Sequence, residues 1–216
     1  MLILIDFDGT LADTSLGIYK AFEEACLRCN LCSPTYKELS SKIGPPISVI
    51  AKDIHPHLTK AQLANFTALF RHSYDNHWFR TLSWYPLVPE TLHVLKNSGH
   101  DLSIVTNKPS VPTKQLIHES MLDAYFDFII GIDYLKYHTN GRLFESKSKA
   151  LSFAISSYHY SLQSVVYIGD TESDYEATKN TNISFIHVLY GYGSMKNSNS
   201  PFHQVSNFCD ILNIFS

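Results

Sequence analysis

The sequence predicts an α/β protein: a doubly wound parallel sheet with an all-helical segment inserted after its first strand. Three observations predict it. Five short apolar runs, at 2–7, 102–105, 128–132, 165–168 and 185–189, lack the alternation of a half-solvated strand and are rich in Ile and Val, as strands buried on both faces are. Segments with helical spacing lie between the later runs, and this strand-helix-strand repetition is the signature of a doubly wound core. The stretch at 14–84 carries four helix-like pieces and no convincing strand, which divides the chain into a core at 1–13 and 85–216 and a helical unit at 14–84.

Each element follows from local pattern. The insertion reads as helices at 15–29, 35–43, 47–54 and 59–77, and Gly44-Pro45-Pro46 breaks it in the middle, because the second proline pushes Pro45 toward an extended conformation. In the core, 89–97 turns Leu92 and Leu95 inward, and further helices are expected at 111–122, 146–157 and 173–180. Residues 191–201 are rich in Gly, Ser and Asn and read as a loop before a terminal piece at 205–215.

Composition narrows the function. With 216 residues, 44% hydrophobic and 17% charged, the chain buries a sizeable core and is not disordered. A net charge of -3 without a basic cluster argues against nucleic acid or an anionic membrane as the main partner. The apolar start, Met1 to Ile5, meets an acid at Asp6, far short of a spanning helix and without a basic leader, so a cytoplasmic protein is expected. Cys26, Cys29, Cys32 and Cys209 are poor material for a disulfide framework, and C-x2-C-x2-C reads better as small apolar residues at a helix end than as metal ligands. Oligomeric state, monomer or homodimer, is left open.

The chemistry sits where the apolar runs end. Asp6-Phe7-Asp8-Gly9-Thr10 closes the first, so two carboxylates at i and i+2 leave on one side while Phe7 points into packing. D-x-D-G-T arises by chance in roughly one chain of this length in several hundred to a thousand, so a plain turn is the weaker reading. Thr106 and Asn107 end the second core strand, and Gly169-Asp170 ends a later one. Asp174 falls in the first turn of the helix that follows, where the dipole favours an acid. The carboxyl ends of parallel strands are where open α/β sheets bind ligands.

In these residues the chain resembles the haloacid dehalogenase superfamily of phosphohydrolases, in the branch with a helical cap after the first strand, as in phosphoglycolate phosphatases. The matching motifs are Asp6-Phe7-Asp8-Gly9-Thr10-Leu11, Thr106, a lysine within Glu145-Ser146-Lys147-Ser148-Lys149, and Gly169-Asp170-Thr171-Glu172-Ser173-Asp174, in family order. Trp84-Tyr85-Pro86, Asn107-Lys108-Pro109 and Gly191-Tyr192-Gly193 look like family punctuation, so the resemblance spans essentially the whole chain.

The resemblance implies a Rossmann-like core, a Mg²⁺ cofactor and a small phosphorylated metabolite as substrate. It assigns Asp6 as nucleophile and Asp8 as the acid and base for the leaving group and water. Asp6, Asp8 (through its backbone carbonyl), Asp170 and Asp174 are the implied metal site. Thr106, Lys147, Gly9 and Asn107 are the implied phosphate donors. Lys147 is preferred over Lys149 by its spacing to Asp170, although Ser148 stands where the family usually has proline. A carboxylate two residues after the nucleophile favours ester hydrolysis over carbon-halogen cleavage. Lys42 and Gly44, in the loop resembling the specificity loop of this cap type, are expected to face substrate, with Tyr19 and Arg71 as further candidates. A phosphomutase, a phosphonate hydrolase using a cap lysine, and a weakly active binding module are the competing readings.

Overall fold

The structure, a computed structural model, describes residues 1–138, 141, 143–193 and 202–215. In chain order its elements are β1 (Leu2–Ile5), β2 (Ala12–Asp13), α1 (Ser15–Arg28), α2 (Tyr36–Ser40), α3 (Ile47–Ile54), α4 (Lys60–Ser73), β3 (Ser83–Trp84), α5 (Val88–Asn97), β4 (Asp101–Thr106), α6 (Ser110–Glu119), β5 (Phe128–Gly131), α7 (Tyr134–His138), α8 (Lys147–Ser157), β6 (Val165–Gly169), α9 (Glu172–Thr181), β7 (Ser184–Val188), β8 (His203–Val205) and α10 (Leu212–Phe215). Six of the strands form one sheet in the order β5-β4-β1-β6-β7-β8, with every pairing parallel.

The pleat explains why the inner strand sequences are mostly apolar. Ile3 and Ile5 of β1 belong to one buried cluster, with Leu92 and Ile117 of α5 and α6, while Leu2 and Leu4 join Leu151 and Ala154 of α8 in another. Successive side chains on a strand face opposite ways, so a sheet covered on both sides favours apolar residues at nearly every position, with Ser103 and His187 as buried polar exceptions. The first cluster continues into the helical insertion through Phe22, Phe66 and Phe70, so sheet and insertion share apolar contacts.

The insertion begins and ends at one place. β2 pairs antiparallel with β3, Ala12 opposite Trp84 and Asp13 opposite Ser83, so the two crossings between core and insertion are zipped to each other. Phe7 packs edge-on against Trp84 at 5.7 Å beneath this ribbon. Within the insertion, α4 starts on a capping box: the Thr59 hydroxyl accepts from the Gln62 N–H and the Gln62 side chain accepts from the Thr59 N–H. It ends in a π-helical turn, Tyr74–Trp78.

All five apolar runs are strands of the main sheet. The ribbon β2-β3, the strand β8 and the short helix α7 were not expected, and each is too short for a hydrophobic period to develop. α2 is also shorter than the segment at 35–43, because its chain leaves the helix after Ser40 toward Gly44. The expected loop at 191–201 lies outside the described residues from 194 onward. Cys26 is buried with its Sγ 3.6 Å from His55 Nε2, and burial pushes its thiol up to about 11; Cys29 is the C-cap of α1 and Cys32 is exposed. All four cysteines are unpaired.

Candidate active site

β1 lies at the centre of the sheet between β4 and β6, and the chain passes from β1 to one side and later returns to the other. Such a reversal leaves a crevice at the carboxyl ends of the strands. Three polar groups meet there: Asp6 directly follows β1, Thr106 ends β4, and Asp170 directly follows β6. All three are almost fully buried.

Asp6, Asp170 and Asp174 each offer a carboxylate oxygen within 4.8 Å of the others. Asp174 is positioned by the start of α9, where its carboxylate accepts from the Thr171 N–H at 3.0 Å and the Thr171 hydroxyl accepts from its N–H, a capping box that points the acid back at the sheet. Lys147, at the first turn of α8, donates to Asp6 at 2.6 Å and to Asp174 at 2.5 Å. Asp170 accepts from the Tyr192 N–H at 2.7 Å and from the Thr10 hydroxyl at 3.4 Å, and no cation pairs with it among the described residues.

Fully ionised, the three buried carboxylates would exceed the one ammonium by two negative charges, and the site resists that state. Burial pushes Asp6 up to about 6 against the pull of Lys147, and burial with the nearby Asp174 and Asp6 charges raises Asp170 well above the usual carboxylate range. Burial alone lowers Lys147, but Asp174 and Asp6 outweigh it and hold the ammonium charged. The donor set is all oxygen and the uncompensated charge matches one divalent ion, so these residues fit a hard divalent cation.

Asp8 is held from two sides. Its Oδ1 accepts from the Thr14 hydroxyl at 2.7 Å and from Lys108 Nζ at 3.0 Å. Lys108 also donates to the Tyr74 hydroxyl at 2.6 Å, and Tyr192 Oη accepts from the Thr14 N–H at 2.6 Å. Gly9 sits at φ +80°, where a Cβ would stand 2.2 Å from Asp170 Oδ2, so only glycine lets the two loops approach this closely.

Between the insertion and the core lies a cavity of about 560 Å³. Asp8, Asn107 and Lys108 contribute from the core; Gly44, Pro45, Pro46, Phe70, Arg71 and Tyr74 contribute from the insertion. Gly44 links the two sides: its carbonyl accepts from the Asn107 amide at 2.8 Å, and a Cβ on it would meet Thr171 Cγ2 at 2.8 Å.

Not every expected residue is placed as its expected role requires. Lys42 does not line the cavity; it pairs with Asp53 on the exposed side of the insertion, because α3 presents that acid to it. Gly9 was expected to offer its N–H to phosphate, but that N–H donates to the Ala12 carbonyl at 2.9 Å in the turn leading to β2. The Asp8 and Asn107 N–H groups take no backbone acceptor among the described residues. Lys149 is exposed, and Tyr19 donates to Glu23 at 3.1 Å away from the cavity. Arg71 does line it, paired with Asp75. Lys108, Tyr74, Thr14 and Tyr192 were not singled out as site residues. Lys108 and Tyr192 were visible only as parts of the Asn-Lys-Pro and Gly-Tyr-Gly segments, and nothing in the local pattern marks Tyr74, which reaches the site through tertiary packing.

Comparison with known proteins agrees with this geometry. Residues 3–188 match the family model described as haloacid dehalogenase-like hydrolase. The chain is similar to a phosphoglycolate phosphatase of Aquifex aeolicus, with 27% identity over 98% of this chain and 95% of that one. It is also similar to a 5'-nucleotidase of Pseudomonas aeruginosa, with 26% identity over 96% of this chain and 90% of that one. Among solved structures, a predicted phosphatase from Clostridium acetobutylicum superimposes with a TM-score of 0.87 at 25% identity, covering 99% of this chain and 96% of that one. With the family model spanning most of its length, the chain belongs to the haloacid dehalogenase-like hydrolases.

Proposed function

We propose that this hydrolase is a Mg²⁺-dependent phosphatase that cleaves a small phosphorylated metabolite, of the phosphoglycolate or sugar phosphate type, through an aspartyl phosphate on Asp6. The observation that carries the reading is the buried cluster of Asp6, Asp170 and Asp174 around Lys147, two residues from an Asp8 that opens onto the cavity. The phosphatase names of its relatives support it.

An Asp6 carboxylate oxygen attacks phosphorus, the bond from phosphorus to the ester oxygen breaks, and the departing alkoxide takes a proton from the Asp8 carboxyl. Asp8, now a base, accepts a proton from the water that attacks the aspartyl phosphate, which restores Asp6. Asp6, the Asp8 carbonyl and Asp170 would hold Mg²⁺, with Asp174 acting through water, and the bound ion supplies charge neutralisation between two anionic reactants. Lys147, the Thr106 hydroxyl and the free N–H groups of Asp8 and Asn107 receive the phosphoryl oxygens, each preorganised donor lowering the barrier by about 2–4 kcal/mol.

In this reading residues 1–13 and 85–216 are the core and 14–84 the cap, which closes to exclude water and select the substrate. A cytoplasmic setting is supported by the four unpaired cysteines. A phosphonate hydrolase would form an imine on a cap lysine, and no lysine of residues 14–84 lines the cavity.

The test is phosphate release from a panel of small phosphomonoesters, phosphoglycolate and sugar phosphates among them, with Mg²⁺ or chelator and with Asp6→Asn as blank. Metal-dependent turnover that Asp6→Asn abolishes is expected. Turnover unchanged by chelator, or retained in Asp6→Asn, overturns the reading.

A further inference from the structure

The helical insertion reaches the reacting groups through one buried lysine. Lys108 is only 5% exposed, yet its ammonium lies between an acid of the core and a phenol of the insertion: Asp8 Oδ1 at 3.0 Å and Tyr74 Oη at 2.6 Å. The faces of Phe7 and Tyr74 flank it at 5.5 and 4.6 Å. Its own N–H donates to Thr106 Oγ1 at 3.2 Å, which fixes the backbone from which it extends.

Tyr74 is placed by an irregularity. It opens the π-helical turn that ends α4, stacks on Phe70 at 5.6 Å and is 1% exposed. A π turn widens the helix by one residue and is costly enough that such turns concentrate at functional sites. Here it delivers the hydroxyl to an ammonium of the core. Burial pulls the Lys108 ammonium toward neutrality, but Asp8 and Tyr74 more than compensate and keep it charged.

We propose that Lys108 is a positioning residue that couples docking of the insertion, sensed through Tyr74, to the orientation of Asp8. The inference rests on the phosphatase reading, in which Asp8 gives its proton to the leaving alkoxide. Both the Thr14 and the Lys108 contacts fall on Oδ1, so together they fix the carboxyl's rotation. Thr14 ties it to the ribbon side of the insertion and Lys108 to the α4 side. With the insertion undocked, Lys108 keeps Asp8 as a partner but loses the Tyr74 acceptor that fixes its ammonium from the other side, so the direction from which it holds Oδ1 is no longer set.

The test uses leaving groups that need that proton to different degrees. The full-length protein, Lys108→Met and Tyr74→Phe are assayed with Mg²⁺ on p-nitrophenyl phosphate, whose phenolate leaves unaided, and on the alkyl phosphate that the wild type hydrolyses fastest. The ratio kcat/KM covers the steps through transfer to Asp6, so the later attack of water does not enter it. Lys108→Met is expected to lose on the order of 10- to 100-fold in kcat/KM on the alkyl ester and less than about threefold on the aryl ester. Tyr74→Phe, which keeps the ring and its packing, is expected to show the same selectivity to a smaller degree. Thermal unfolding of each variant checks that the fold persists. Equal losses on the two esters, or no loss in either variant, overturn the inference while leaving the phosphatase reading intact. A wild type inactive on both esters overturns that reading, and this inference with it.

Discussion

The Asn107 side-chain amide donates to the Gly44 carbonyl at 2.8 Å, joining the loop after β4 to the Gly-Pro-Pro turn of the insertion. Gly44 has φ +135° and stands against Thr171, so an added methyl group would meet Thr171 Cγ2 at 2.8 Å in a backbone conformation that L residues avoid. The contact and the strain act together. Gly44→Ala is therefore expected to push the turn away from the core, raising KM and lowering kcat/KM by about tenfold, with a fall in Tm of only a few degrees. Steady-state kinetics beside a melting curve checks this, and unchanged kinetics would show that the turn only joins helices.

The charge excess around Asp170 predicts a trade of stability against metal binding. Burial and the charges of Asp174 and Asp6 oppose ionisation of Asp170 in the folded chain, a cost that an uncharged amide of the same shape does not carry, so Asp170→Asn is expected to melt higher than the wild type when both are metal-free. For a chain of this size the gain is about 2–4 °C per kcal/mol relieved. Added Mg²⁺ is expected to raise the Tm of the wild type and leave that of the variant unchanged. Thermal melts with Mg²⁺ and with chelator decide it; a variant that melts lower when metal-free would refute the repulsion argument.

Burial separates the two lysines that compete for the cationic role in the proposed mechanism. Lys147 is buried between Asp6 and Asp174, whereas Lys149 is exposed two residues along the same helix. Lys147→Ala is expected to lower kcat/KM by about two orders of magnitude or more, and Lys149→Ala by less than about twofold. Equal losses would mean that the hydrogen bonds of Lys147 serve only to hold α8 against the sheet.

The legible parts of the molecule were those whose information is local. Asp6 and Asp8 follow β1, Asp170 follows β6, and α9 begins at an acid, and each of these elements is a run of residues with one periodicity and one terminator. Parallel topology then places the strand ends together without further information. Tyr74 was not legible, because its place depends on a π turn and on the packing of α4 against the core. Lys42 was misplaced for a related reason: its neighbour Gly44 does reach the site, but a charged side chain follows its nearest counter-ion, and Asp53 lies on the outer side. The ribbon of β2 and β3 is two residues long on each side, too short for any pattern to appear.

A buried histidine in the insertion predicts a loss of stability in acid. His55 is 6% exposed, lies 3.6 Å from Cys26 Sγ and stacks with Phe22. Burial, assisted by the neighbouring His57, lowers its tendency to take a proton below the usual histidine value of 6.5. The unfolded chain therefore binds the proton first as pH falls. Stability contributed by the neutral ring is fully present above about pH 6.5 and is lost progressively below it, until the folded protein also binds the proton. Urea unfolding at pH 7.5 and at pH 5 is expected to show a smaller difference for His55→Gln than for the wild type, even though the variant is less stable at pH 7.5 through lost packing. An unchanged difference would place the acid sensitivity elsewhere, with His100, which burial also lowers, as the next residue to replace.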